Sequence, residues 1–278
     1  MFISNLINNN YVAAIDDDGN EVVVNGIGIG YRKSKGSYIP DNEIQKVYRI
    51  NNGRTIKQLR GLLQDIPEDR FQVCGEIIDF AQKKLRTELN PNLYVTLTDH
   101  VNYALVRFSK GLGVANPMLG EIKLFYPKEF AVGMYAVSLV KEKLGTDLGE
   151  DEAGFIAFHL VNAETNMAMD TTMKVTKLVK EALKIIEEFW KIQMEEEDIN
   201  LRRLISHLQF IANNVINRTH NISKPDSFNH AIKTAFPEEM ECSIKIAGYI
   251  RENFEYELDD DELAYLAVNI SRVRKRKD

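Results

Sequence analysis

Hydrophobic positions along the chain follow two different periods, and the change between them falls near residue 55. Before it, apolar residues come in short runs: YVAAI at 11–15, EVVV at 21–24 and IQKVYRI at 44–50. Runs of this kind, broken by Gly, Asn and Asp, read as strands. DDGN at 17–20 reads as a hairpin turn, because Asp and Gly tolerate the positive φ of a tight turn, and NNG at 51–53 ends the last strand. The first 55 residues are therefore expected to form a small four-stranded antiparallel β domain. So small a sheet has little core of its own, which makes pairing with a second copy an expectation.

From residue 56 the period becomes helical. Ile56, Leu59, Leu62, Leu63 and Ile66 stand at i, i+3, i+4 spacings. EIIDFAQKKLRTEL, DHVNYALVRFSKGL, EFAVGMYAVSLVKEKLG, EDEAGFIAFHLVNAE, TKLVKEALKIIEEFW, NLRRLISHLQFIANNVINR and MECSIKIAGYIREN continue it. The remainder is predicted to be all-α.

That helical part is an internal repeat. Residues 121–163 match residues 231–273 without a gap: Ile122 and Lys123 meet Ile232 and Lys233, Pro127 meets Pro237, Glu129 meets Glu239, Leu148 meets Leu258 and Glu152 meets Glu262. Upstream, LTDHVNYALVRF matches LISHLQFIANNV at a slightly smaller offset. The predicted organisation is a β domain over 1–55, followed by two homologous all-α helical-bundle domains over 56–170 and 171–278. ETNMAMDTTMK at 164–174 reads as the joint.

Bulk properties narrow the class without fixing it. The chain of 278 residues is 44% hydrophobic and 27% charged with a net charge of −6, which fits a soluble globular protein and argues against a uniformly basic nucleic-acid binder. Cys74 and Cys242 form no metal or redox spacing. The N-terminus lacks the basic and apolar regions of a signal peptide, and no apolar run approaches a membrane span, so a cytoplasmic location is expected.

The repeat orders the five histidines. His100 pairs with His207, and His159 pairs with Asn269; His220 and His230 lie in NRTHNISKPDSFNH, read as a polar loop, and have no counterpart. His159 shares helical spacing with Phe155, Ile156 and Leu160, so a packed core ring and a chemical role are both open for it. Metal binding fits poorly, since the spacing is not that of a helical ligand pair. Nucleophilic catalysis lacks a nucleophile elbow, and no cofactor fingerprint or substrate-cleft motif is present, so the chain is not expected to be an enzyme. Reversible phosphorylation fits better: neutral imidazole is nucleophilic near pH 7, and a phosphoryl group brings about two negative charges to a helical interface. Asp99 is placed either to orient the His100 ring or to cap its helix.

With sheet, repeat and histidines taken together, the chain resembles the BglG/LicT family of bacterial transcriptional antiterminators over essentially its whole length. INNNYV, VNGIGIGYRKSKG, TLTDHVNYA, NPMLGEIKLFYPKEF, EDEAGFIAFHLVNA and LISHLQF, in this order, carry the likeness. The resemblance implies a dimeric co-antiterminator sheet that binds an RNA hairpin in a leader transcript and prevents an overlapping terminator from forming. It implies two phosphotransferase-system regulation domains, phosphorylated by the phosphocarrier HPr or a sugar-specific enzyme II, and no membrane insertion. Its phosphorylation sites would be His100, His159 and His207; Asn269 stands where many members have a fourth histidine and cannot accept phosphate.

The implied RNA surface comprises Asn10, Gly26, Gly28, Tyr31, Arg32 and Lys33, with Lys35 beside them. Tyr31 would stack on a base, the glycines would let backbone approach RNA, and the cations would meet phosphate. Asn5 and Ile27 depart from the basic residues that relatives often carry there. Arg32, Lys33, Lys35, Lys46, Arg49 and Arg54 are balanced by Asp16, Asp17, Asp18, Glu21, Asp41 and Glu43, so the sheet domain is not basic overall. The alternative is therefore a phosphorylation-responsive protein-interaction regulator whose sheet does not bind RNA. A DNA-binding activator should show a helix-turn-helix before residue 56, where this chain has strands.

Overall fold

The computed structural model describes residues 1–50, 53–219 and 227–274. β1 (Phe2–Leu6), β2 (Tyr11–Ile15), β3 (Glu21–Asn25) and β4 (Lys46–Tyr48) form one antiparallel sheet in sequence order. The β2–β3 hairpin closes where expected: the Asp16 N–H donates to Asn20 O at 3.0 Å, and Gly19 supplies a φ of +83°.

Eleven helices follow among the described residues: α1 (Gly53–Asp65), α2 (Glu68–Leu85), α3 (Leu93–Phe108), α4 (Leu119–Phe125), α5 (Pro127–Leu144), α6 (Gly149–Thr165), α7 (Met169–Trp190), α8 (Ile199–Asn217), α9 (Ser227–Ala235), α10 (Pro237–Phe254) and α11 (Asp260–Arg274). Pro67 separates α1 from α2, as a residue without an N–H and with fixed φ should. The stretch read as a joint is partly helical, since α7 begins at Met169. His230 is an exposed residue of α9 rather than part of a loop, and His220 lies outside the described residues.

The little core expected of the sheet itself is supplemented by two coverings, one of them from helices beyond residue 55. Strand alternation sends Tyr11, Ala13, Val23 and Tyr48 to one face, where Ile56, Leu59 and Leu63 of α1 and Phe71 of α2 bury them. Val12, Ala14, Val22 and Val24 point the other way and are closed over by Ile29 and Ile39 from the β3–β4 connection.

The chain divides into two compact units, Met1–Leu119 with Lys128–Met167, and Gly120–Pro127 with the chain from Ala168 onward. In the first, Ile77 and Ile78 of α2, Leu97 and Val101 of α3, Val132 and Val140 of α5, and Ile156 and Leu160 of α6 make the helical core. Gly133 lets α5 and α6 approach closely; a Cβ there would stand 2.1 Å from Ala153 O. In the second, Leu178 and Val179 of α7, Leu204 and Leu208 of α8, Ile246 of α10 and Leu266 and Ile270 of α11 play the same part, joined by Phe125 of α4. Among the described residues no helix is long and apolar enough to cross a membrane.

Candidate functional site

His100 sits on α3 and His159 on α6, and packing of these helices brings the two rings to a centroid separation of 4.8 Å. His100 Nε2 lies 3.0 Å from Glu152 Oε2. Glu152 has 0% exposure, and its other oxygen accepts from Arg107. A fully buried carboxylate is tolerable only when paired, and the guanidinium supplies that pairing. The His100 side chain remains 18% exposed, so it abuts a buried ion pair yet keeps partial access to solvent.

His159 is half-buried and has no hydrogen-bond partner among the described residues. Burial, reinforced by the neighbouring His100, pushes its pKa down to about 3. It is therefore a neutral ring at physiological pH, with a lone pair available. Asp99 does not fill the orienting role open to it: it is exposed, and the carboxylate on His100 is Glu152.

The second unit repeats this geometry with one change. His207 of α8 faces Asn269 of α11, with 3.4 Å between Nδ1 and the Asn269 amide nitrogen. That amide also donates to Tyr265 O at 2.8 Å. Burial lowers the pKa of His207. Glu262, the counterpart of Glu152, accepts instead from the Asp259 N–H at 3.1 Å, and Asn214 stands at the position corresponding to Arg107. Among the described residues no group of three or more His, Cys, Asp or Glu could hold a metal ion.

The residues assigned to RNA gather around the loop after β3. The Asn10 side chain organises this loop: its Oδ1 accepts from Gly28 N–H at 2.8 Å, and its Nδ2 donates to Glu68 Oε2 at 2.7 Å. The Asn10 carbonyl accepts from Gly26 N–H at 3.0 Å and from the Asn25 amide at 3.1 Å. Gly26 is required by packing, since a Cβ would lie 2.1 Å from Glu43 O; Gly28 is required by its φ of +65°. Tyr31 is 57% exposed and Ile27 83% exposed, so the tip presents an aromatic and an aliphatic group to solvent. Arg32 stands over the Tyr31 ring at 5.1 Å, while Lys33 is ion-paired with Glu43.

Sequence reasoning missed Arg107, Glu68 and the role of Glu152. The identity of Glu152 and Glu262 across the repeat was the one available signal.

Comparison with known proteins matches residues 1–57 to the CAT RNA binding domain and residues 75–163 and 180–273 to the PRD domain. An RNA-binding sheet followed by two phosphorylation-responsive helical domains defines a class of regulator that acts on transcripts. The chain is 40% identical over 276 residues to the transcription antiterminator LicT of Bacillus subtilis (strain 168), covering 99% of this chain and 100% of that protein. It is 34% identical to the beta-glucoside operon antiterminator of Dickeya chrysanthemi, over 99% of this chain and 97% of the relative. A crystal structure of GlcT CAT-PRDI superposes with a TM-score of 0.54 at 31% identity, covering 59% of this chain and 98% of that one. The chain belongs to the BglG/LicT family of transcription antiterminators: it is an RNA-binding antitermination regulator controlled by phosphorylation. A sheet that has lost RNA binding is not favoured, because residues 1–57 match the RNA-binding domain.

Proposed function

We propose that the chain acts in the cytoplasm as a homodimer that binds a leader-RNA hairpin, and that phosphoryl transfer to His100, His159 and His207 sets this activity. The sheet domain, 1–55, would hold RNA; the regulation domains, 56–170 and 171–278, would receive phosphate from HPr and a sugar-specific enzyme II. The observation that carries the regulatory half is that repeat-matched positions meet in both domains, His100 with His159 and His207 with Asn269. A ring pair with a neutral lone pair and partial solvent access suits reversible phosphorylation, which stoichiometric rather than catalytic phosphate incorporation would separate from enzymatic turnover.

On the RNA side, Tyr31 offers a stacking face, Arg32 and Lys35 meet phosphate, and Gly26, Gly28 and Asn10 shape the loop that presents them. Lys33 joins them by exchanging Glu43 for phosphate. The test is phosphosite mapping with each donor separately. Acid-labile phosphate is expected on His100, His159 or His207; the same incorporation into a variant lacking all three would refute the assignment.

A further inference from the structure

The surroundings of His100 fix more than its position. We infer that Glu152 is a positioning residue that makes Nδ1 of His100 the phosphoryl acceptor, an inference resting on the phosphorylation reading above. Glu152 is fully buried and shared between two partners, Arg107 on one oxygen and His100 Nε2, at 3.0 Å, on the other. A carboxylate paired with a guanidinium is ionised, and an ionised carboxylate only accepts hydrogen bonds. The proton of neutral His100 is therefore on Nε2, and the nucleophilic lone pair is on Nδ1.

The opposite choice is electrostatically closed. A phosphoryl group on Nε2 would set about two negative charges on the atom that now touches the buried carboxylate. Attack through Nδ1 avoids this. The Nδ1 lone pair forms the new N–P bond while the N–P bond of a phosphohistidyl carrier breaks, its electron pair returning to the carrier ring. A carrier ring protonated on its second nitrogen then leaves as neutral imidazole. The positive charge passes to His100, whose Nε2–H faces the ionised Glu152. The carboxylate thus opposes the charge that forms during transfer, as the aspartate of a Ser-His-Asp triad does for its imidazolium.

Among the described residues the second domain sets its histidine differently. Glu262 accepts from the Asp259 N–H, and His207 meets an amide nitrogen at Nδ1 instead of a carboxylate at Nε2. His207 therefore serves as an internal reference within one protein.

Two measurements on the full chain decide the matter. Long-range proton–nitrogen NMR on ¹⁵N-labelled protein should show His100 with a protonated Nε2 and an unprotonated Nδ1. Phosphorylation, by phosphoramidate as a small chemical donor and by a phosphohistidyl carrier in parallel, should give the Nδ1 isomer at His100. The Nδ1–H tautomer, or phosphate on Nε2, would overturn the inference. If phosphoramidate gives the Nδ1 isomer and the carrier gives nothing, the regulatory reading fails while the assignment of the acceptor atom stands. In Glu152→Gln the carboxamide donates to Nε2 and reverses the tautomer. Phosphorylation of His100 should then slow at least about ten-fold, with His207 unchanged. An unaltered His100 rate in that variant also contradicts the inference, and the wild-type assignments hold even if the variant folds poorly.

Discussion

The two rings proposed as acceptors in the first domain, with centroids 4.8 Å apart, cannot both carry phosphate at low cost. Each phosphoryl group brings about −1.5 to −2 charges, and their repulsion is gauged at a separation on the order of 7 Å. Coulomb repulsion at that distance ranges from about 1 kcal/mol in screened water to about 9 kcal/mol at an effective dielectric of about 20. His100 is 18% exposed and abuts buried Glu152, so the upper half of the range applies, about 5 kcal/mol or more and over roughly a thousand-fold. The first domain should thus take one phosphoryl group at a time. His207→Ala removes the acceptor proposed for the second domain, and intact-protein mass spectrometry after exhaustive phosphorylation then reads the first domain alone. One phosphoryl group per chain is expected, distributed between His100 and His159. His100→Ala and His159→Ala, each added to His207→Ala, should still accept one. Two groups per chain at full occupancy in His207→Ala would refute the reasoning.

Three further outcomes follow from the same geometry. Gly26→Ala must push a Cβ into Glu43 O and should cost roughly 3 kcal/mol in urea melts, whereas Gly28→Ala, meeting only Tyr31 Cβ at 3.9 Å but at positive φ, should cost about 1 kcal/mol; equal losses would contradict the packing described. Glu164 is pushed up to about 7 by burial and by Glu129, which shares a hydrogen bond with it. Its protonated form is favoured by folding, so its contribution is full below an ordinary carboxylate pKa of about 4.5 and is lost as pH rises through 7. Wild type should lose on the order of 1–2 kcal/mol relative to Glu164→Gln between pH 4.5 and 8, and parallel pH profiles would exclude the shared proton. Glu68 occupies the Asn10 amide at 2.7 Å, so Glu68→Ala should tighten hairpin binding several-fold at fixed salt if Asn10 meets RNA; unchanged or weaker binding removes Asn10 from the contact surface.

Periodicity and the repeat make the sheet, the all-α remainder and the matching of His100 with His207 legible in the sequence itself. What they could not supply was the identity of groups that meet from distant segments. Asp99 adjoins His100 in sequence, but consecutive residues on a helix point about 100° apart, and the carboxylate that reaches the ring comes from α6. The sheet domain looked short of core because the residues that cover it, Ile56, Leu59, Leu63 and Phe71, lie beyond it in the chain. The family pattern singled out Asn10 and Gly26, and packing shows the loop-shaping that both perform. Lys33 looked like a free cation because Glu43 is ten residues away in sequence.

The repeat also exposes a substitution that sequence reading passed over. Glu239 of the second unit is ion-paired with Arg274 at 3.3 Å, while the corresponding pair in the first unit is Glu129 with Glu164. The two domains thus differ in their histidine partners and in this charge pair, so they should respond differently to phosphate and to pH.

Whether histidine phosphate governs RNA binding is tested most directly by one titration. A fluorescent leader-RNA hairpin is titrated with full-length protein before and after stoichiometric phosphorylation, at one salt concentration, alongside the His100→Ala/His159→Ala/His207→Ala variant. Wild-type affinity should change by about 5- to 150-fold, the usual range of coupling between two sites, and the triple variant should bind RNA without responding to donor. Equal affinity of the phosphorylated and unphosphorylated protein for the hairpin would contradict the claim.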